Sequence, residues 1–381
     1  MRIGIEAQRI FRKNKHGMDY VVLQEIRELQ RMDTDNEYFV YVKPGEDICL
    51  ESSANVHVVE LRCPSYPLWE QYALPRAARR DRVDMLHCTS NTAPVWCGGI
   101  PLVLTLHDII FLEPRDKHNK SLYQNLGRIY RRMVVPKVIG KCRRIITVSN
   151  FELDNIVGRL KLPRDRMAMI YNGYNDWFRP VKDTAGVYRK YIGERGYFFF
   201  LGNTDPKKNT ARTIMAYAGY LERSDVKRKL LVADLKQESI DAILRDNGIE
   251  HIREYVVPSG YIVNSDLPYI YNDAFAFLYT SLRESFGIPL LEAMACGTPV
   301  VTSDTSSMPE IAGPDAALTS PERAGDITEM MLRLENDHDF RERQINIGLE
   351  RVKMFSWRKT AEELLRLYKD VYMETSGHKP H

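Results

Sequence analysis

The sequence predicts an α/β protein made of two doubly wound, parallel-sheet domains joined by a short linker. Three observations carry this prediction. The chain's 381 residues are enough for two domains of ordinary size. Strand-like segments alternate with helical or loop segments, as in a parallel sheet with crossover helices. The run N-G-Y-N-D-W-F-R-P-V at 172–181 clusters Gly, Asn and Pro as linkers do, and a second strand-led unit opens after it at Tyr197–Leu201.

Composition excludes several classes. Apolar content of 44% and charged content of 28% are those of a globular protein, and a net charge of +3 is too small to imply a nucleic-acid partner. The six cysteines (Cys49, Cys63, Cys88, Cys97, Cys142 and Cys296) form no C-x-x-C pair and no metal-ligand spacing. They read as mostly reduced core thiols of a cytosolic protein. M-R-I-G-I-E-A begins directly with strand-like sequence, so no signal peptide is expected. No run approaches the roughly 18 apolar residues of a membrane span. The expected location is cytoplasmic.

In the N-terminal half, Met1–Glu6 reads as a strand, followed by a loop ending R-K-N-K-H-G-M. A helix over Met18–Leu29 follows, with apolar spacing through Val21, Val22, Ile26 and Leu29. Glu37–Val42, Val56–Leu61, Met85–Cys88, Leu102–Leu106 and Ile145–Val148 continue as strands, and Met167–Tyr171 closes the half. His107 stands at a strand's carboxyl end, where doubly wound sheets bind ligands. Ser149 suits an N-cap for a helix from about Phe151. Arg128–Arg144 holds seven basic residues and no acid. It reads either as a solvated helical surface or as a patch drawn to anionic lipid.

In the C-terminal half, Tyr197–Leu201 ends in G-N-T-D-P-K-K-N-T, where a glycine, two lysines and an Asn-led helix suit a phosphate. Leu230–Ala233, Tyr255–Ile262 and Ala274–Tyr279 are the next strands. They lead to E-S-F-G-I-P-L-L-E-A-M-A-C-G-T-P at Glu284–Pro299. Gly287 permits a tight loop, Pro289 suits a helix start, and Gly297 suits its stop. Glu284 then precedes a helix over about Pro289–Cys296, with Glu292 one turn inside it. The first-turn N–H groups between the two acids would face an anion. A strand at Pro299–Thr302 and an amphipathic helix over Phe355–Tyr372 complete the chain.

The run S-L-R-E-S-F-G-I-P-L-L-E-A-M-A-C-G-T-P-V-V resembles the E-x7-E signature of the retaining glycosyltransferases of family 4 (group 1). T-x-H-D at 105–108, T-V-S-N-F at 147–151, N-G-Y-N and the Lys208 loop are similar to further elements of that family. The resemblance implies the GT-B fold, two Rossmann-like domains facing across a cleft. Residues 1–173, completed by a terminal helix over 356–381, would form the acceptor side, and residues 174–355 would bind the donor.

It also implies transfer of a hexosyl unit, with retention, from a GDP- or UDP-sugar to a glycan or lipid-linked saccharide in polysaccharide or cell-surface glycan synthesis. No cofactor or metal is implied. His107, Glu284 and Lys208 would be catalytic. Gly17, Gly202, Asn203, Lys207, Phe286, Gly287, Ile288, Leu291 and Glu292 would bind the donor. An acceptor on a membrane lipid would suit peripheral contact of Arg128–Arg144 with the inner face of the cytoplasmic membrane. The sequence departs from the family pattern at Met18, Asn175, Asn203 and Asp234. A non-catalytic nucleotide-sugar binder, or an epimerase or phosphorylase of the same fold, therefore stays open beside the transferase.

Overall fold

The computed structural model describes residues 1–13, 15–113 and 122–377. Asn14 of the basic loop and the end of the closing helix expected beyond residue 377 lie outside them. The chain forms two compact units: Met1–Asn172 with the segment opening at Trp357, and Gly173–Ser356.

The first unit carries a seven-stranded sheet. Its strands are β1 (Arg2–Glu6), β2 (Glu37–Val42), β3 (Val56–Glu60), β4 (Met85–Cys88), β5 (Leu102–Thr105), β6 (Arg144–Thr147) and β7 (Met167–Met169). They lie in the order β3-β2-β1-β4-β5-β6-β7, and every pairing is parallel. All four residues of β4 and of β5 are buried, as expected of strands covered on both faces. The helix Gly17–Met32 begins at His16 with a capping box through Asp19, and buries Val21, Val22, Ile26 and Leu29. The order of the sheet reverses between β1 and β4. The loops leaving their carboxyl ends, at Glu6 and Cys88, therefore border the crevice where such sheets take ligands.

The second unit repeats the plan. Strands β8 (Tyr197–Leu201), β9 (Leu230–Ala233), β10 (Val256–Gly260), β11 (Ala274–Tyr279), β12 (Val300–Ser303) and β13 (Ala317–Thr319) run parallel in the order β10-β9-β8-β11-β12-β13. Its reversal lies between β8 and β11. The core on one face joins Phe198, Phe200 and Leu278 to Ile214, Tyr217 and Leu221 of the helix Thr210–Arg223.

Most expected strands are present with ends shifted by one or two residues. β13 and the helices Ala324–Asn336 and His338–Arg351 had no sequence expectation. β13 has only three residues, too few for a period. Among the described residues no helix is long and apolar enough to cross a membrane. Cys88, Cys97, Cys142 and Cys296 are buried free thiols, while Cys49 and Cys63 are half-buried.

The closing helix Trp357–Thr375 packs into the first unit, burying Ala361, Leu364, Tyr368 and Val371 beside Ile3, Ile5 and Ile26. Its anchor is polar. The Tyr368 hydroxyl lies 2.7 Å from Nδ1 of buried His87, whose Nε2 lies 2.7 Å from Thr105 Oγ1. Burial lowers the His87 pKa to about 3, so the ring is neutral and needs both partners. Tyr368→Phe leaves Nδ1 unpaired. The expected cost is about 1–3 kcal/mol of stability, read from urea unfolding. An unchanged midpoint would show that this bond does not anchor the helix.

Candidate active site

In the second unit, the loops leaving β8 and β11 meet at the point of reversal. Leu282 N–H donates to the Lys207 carbonyl (2.7 Å), and Asn209 Nδ2 donates to the carbonyls of Thr280 (2.9 Å) and Pro321 (2.7 Å). Lys208, held between these ties, donates from Nζ to Glu284 Oε1 at 2.6 Å. Its ammonium also lies 5.4 Å from the centre of the Tyr279 ring. Lys208 and Glu284 side chains are 23% and 14% exposed, so the pair is shielded but open to a ligand.

Glu284 is placed by its backbone. Its N–H donates to Ser306 Oγ (3.0 Å), and its carbonyl accepts from Ser306 Oγ (2.5 Å) and Ser307 Oγ (3.0 Å). Ser307 Oγ also donates to the Phe286 carbonyl at 3.0 Å. The chain then turns through Gly287 at φ +106°, where a Cβ would lie 3.3 Å from Tyr279 Cε1. Both the backbone angle and the close ring require glycine there.

The helix that follows runs Ile288–Ala295, one residue earlier than expected, with Pro289 in its first turn. Its anion-binding capacity is smaller than the sequence suggests. Pro289 has no N–H, and the Leu290 N–H already donates to the Gly287 carbonyl at 3.0 Å. Leu291 is fully buried and Phe286 nearly so, the latter edge-on to Phe355. Their side chains pack in the core and support the loop.

Glu292 is partly accessible, yet the protein packed around its carboxyl raises its pKa from 4.5 to about 8, against a lowering by the Tyr271 hydroxyl. Tyr279 lies within the field of both Glu284 and Glu292. Burial, then those carboxylates, raises its pKa well above the phenol range.

The remaining candidates have defined places. A Cβ on Gly202 would lie 2.5 Å from Leu235 Cδ1, so this glycine serves the packing of the β9 loop. Asn203 Oδ1 accepts from Asp205 N–H (2.9 Å), and Thr210 Oγ1 donates to the Asn203 carbonyl (2.6 Å), which closes the turn before Lys208. Lys207 pairs with Asp205 at 3.5 Å. Ile288 opens the helix. Sequence reasoning missed Ser306, Ser307, Tyr271 and Tyr279, which act on the two acids from other elements. Asp234, noted only as a departure, lies close enough to Lys208 for that charge to lower its pKa, although partial enclosure raises it overall.

Gly17 and His107 lie in the first unit. Gly17 opens its helix with open space where a Cβ would be. His107 is buried at the end of β5. Its N–H donates to Asn91 Oδ1 (2.6 Å), and its Nε2 lies 3.0 Å from the Thr89 carbonyl. A carbonyl can only accept, so Nε2 carries the proton and Nδ1 is the acceptor. Burial lowers the ring's pKa, against Asp108 and the Thr89 bond, which keeps it neutral near pH 7. The same Thr89–Thr92 turn is held by two buried carboxylates. Glu6 accepts from Thr89 N–H and Oγ1 (both 3.2 Å), and Glu70 accepts from Thr92 Oγ1, Tyr66 (2.6 Å) and Tyr130 (2.5 Å).

Residues 190–351 match the family model described as Glycosyl transferases group 1, and residues 16–177 match the one described as Glycosyltransferase Family 4. The chain belongs to these glycosyltransferases. It is 27% identical to the O-antigen chain mannosyltransferase B of Escherichia coli over 277 residues, 70% of each chain. Two solved structures share its GT-B fold. Sucrose-phosphate synthase from Thermosynechococcus elongatus superposes with a TM-score of 0.76 at 18% identity, covering 98% of this chain and 99% of that one. Anabaena HepE in complex with UDP-glucose gives 0.72 at 16%, covering 97% and 100%. The glycosyltransferase class and the two-domain fold expected from the E-x7-E run are thus established.

The raised pKa of Glu292 gives a stability test. The folded state holds this proton more tightly than the unfolded chain, whose value is near 4.5. The contribution is therefore full below that value and is lost as pH rises through about 8. Glu292→Gln removes the loss. Its melting temperature should gain on the wild type from about pH 5 to about pH 9 in the absence of ligand. A gap that stays constant would mean the carboxyl titrates normally.

Proposed function

We propose that this chain is a retaining hexosyltransferase that takes its sugar from a GDP- or UDP-linked donor. It passes the sugar to a hydroxyl of a glycan or lipid-linked saccharide, in polysaccharide or cell-surface glycan synthesis in the cytoplasm. The observation that carries this reading is the Lys208–Glu284 pair, 2.6 Å apart at the point of strand reversal, where the sheet geometry favours a ligand. An ammonium beside a carboxylate suits a sugar diphosphate: the cation takes the phosphate and the acid takes sugar hydroxyls. Mannose is the favoured sugar, because the E. coli relative is an O-antigen chain mannosyltransferase.

In this scheme Glu292 accepts from the nucleotide ribose hydroxyls, and the backbone of Phe286–Leu291 borders the diphosphate with Lys207 and Asn203. Lys208 stabilises the charge that develops on the departing diphosphate, the role a metal fills in other transferases. The acceptor oxygen attacks on the face the diphosphate leaves, and its proton passes to a departing phosphate oxygen. The anomeric configuration is therefore kept. Neutral His107 offers Nδ1 as an acceptor toward the sugar, and the backbone at Gly17 approaches the donor.

Transfer from GDP-mannose and UDP-glucose, assayed with Glu284→Ala, tests the assignment. The variant should lose at least about 100-fold in kcat/KM with its melting curve preserved. Full activity would remove Glu284 from the site. The anomeric coupling of the product by NMR should match that of the donor, and an inverted product would refute retention. EDTA should leave the rate unchanged, and a loss restored by a divalent cation would refute metal independence.

A further inference from the structure

The helix Leu122–Ile139 in the first unit is apolar on two opposite faces. Val134, Val135 and Val138 point into the core. On the outside, Leu126, Ile129 and Met133 are 66%, 54% and 58% exposed, and exposed Lys137 continues their three- and four-residue spacing. A surface helix ordinarily turns polar residues outward, so an outer stripe of three large apolar side chains lacks its cover. The segment Trp69–Ala73 beside it adds exposed Tyr72, with its register set by the bond from Gln71 Nε2 to Tyr130 Oη at 2.8 Å.

The stripe leads into a basic cleft. Past the helix end, Gly140 and Lys141 border a cleft of about 570 Å³ at the amino-terminal ends of β5 and β6. Lys141, Arg143, Arg144 and Arg166 line it with, among the described residues, one carboxylate, Glu374, which pairs with Arg144. Bonds from Lys141 to the Val95 carbonyl (2.6 Å) and from Arg166 to the Ile139 carbonyl (2.9 Å) orient these cations without neutralising them. Trp96, 66% exposed, stands at the rim with the Arg79 guanidinium 3.9 Å from its ring centre.

The seven basic residues of Arg128–Arg144 thus divide by role. Arg128, half-buried, and Arg132, exposed, both donate to the Phe111 carbonyl, at 3.1 and 2.7 Å, which ties them to the segment after β5. The cations that adjoin the apolar stripe are exposed Lys137 on it and those lining the cleft at its end.

We infer that this face docks on an anionic lipid bilayer, the apolar stripe entering the headgroup boundary and the basic cleft receiving lipid phosphates. Charge complementarity selects this occupant. Apolar side chains beside a basic cluster with a tryptophan at the rim match the chemistry of an interface of acyl chains and anionic headgroups. The inference is independent of the sugar donor and is tested without one.

Flotation of the full chain with phosphatidylcholine vesicles, plain or with about 30 mol% phosphatidylglycerol, reads it directly. The wild type should float with the anionic vesicles at about 0.1 M salt and largely release them at about 0.5 M. Ile129→Asp with Met133→Asp should weaken binding at least about tenfold, and Lys137→Glu should weaken it independently. All three sites are exposed, and melting curves check that the variants fold. Equal flotation with plain vesicles, or unimpaired binding by the double variant, overturns the inference. So does a wild type that ignores vesicles and forms a dimer that the double variant breaks, which would assign the stripe to a second copy of the chain.

Discussion

The backbone hydrogen bond from Leu282 to Lys207 ties the loop after β8 to the loop after β11. These two strands are neighbours in the sheet but lie more than seventy residues apart in sequence. Parallel pairing brings their carboxyl ends side by side, and the tie sets the offset between them. Lys208 and Glu284 can then meet at ion-pair distance with little freedom in either backbone. The buried bonds of Asn209 and the serine bonds to the Glu284 carbonyl brace the same junction. An acid and a cation on free loops would each lose side-chain entropy on meeting and interact weakly in water. Here most of that ordering comes with the fold.

The first unit uses the same logic with different chemistry. Its Thr89–Thr92 turn is held by Glu6 and Glu70, buried carboxylates whose oxygens are taken up by hydroxyl and N–H donors. Glu70 sits in a π-helical stretch, Trp69–Ala73, where Pro75 withholds the N–H that an α-helix would direct at the Gln71 carbonyl. The widened turn lets Glu70 and Gln71 reach the Thr92 and Tyr130 hydroxyls. Asn91, on that braced turn with φ +65°, in turn holds the His107 backbone.

Much of the architecture was legible in the sequence, because a parallel strand buried on both faces is a short apolar run with turn residues at each end. The Glu284–Gly297 stretch was legible for a similar reason: glycine and proline mark the turn and the helix start by their own stereochemistry. The long-range partners were not. Ser306 and Ser307 are ordinary loop residues until the fold sets them on the Glu284 carbonyl, and nothing local marks Tyr271 or Tyr279 as neighbours of the acids. The basic run at 128–144 shows the opposite limit. Its charge was plain, but only the fold separates the arginines tied to the Phe111 carbonyl from the cations that line the cleft. A three-residue edge strand such as β13 has too few positions to show a period at all.

The return of the helix Trp357–Thr375 to the first unit has a consequence for synthesis. The ribosome makes the whole second unit before the last layer of the first exists. Until then, the nascent first unit exposes the apolar surface around Ile3, Ile5 and Ile26 that this helix covers, with His87 lacking its tyrosine partner. The segment made first is thus completed last. Chain loss at the far carboxyl end would injure the amino-terminal half, while the half made in between has all its strands and could mature on its own schedule.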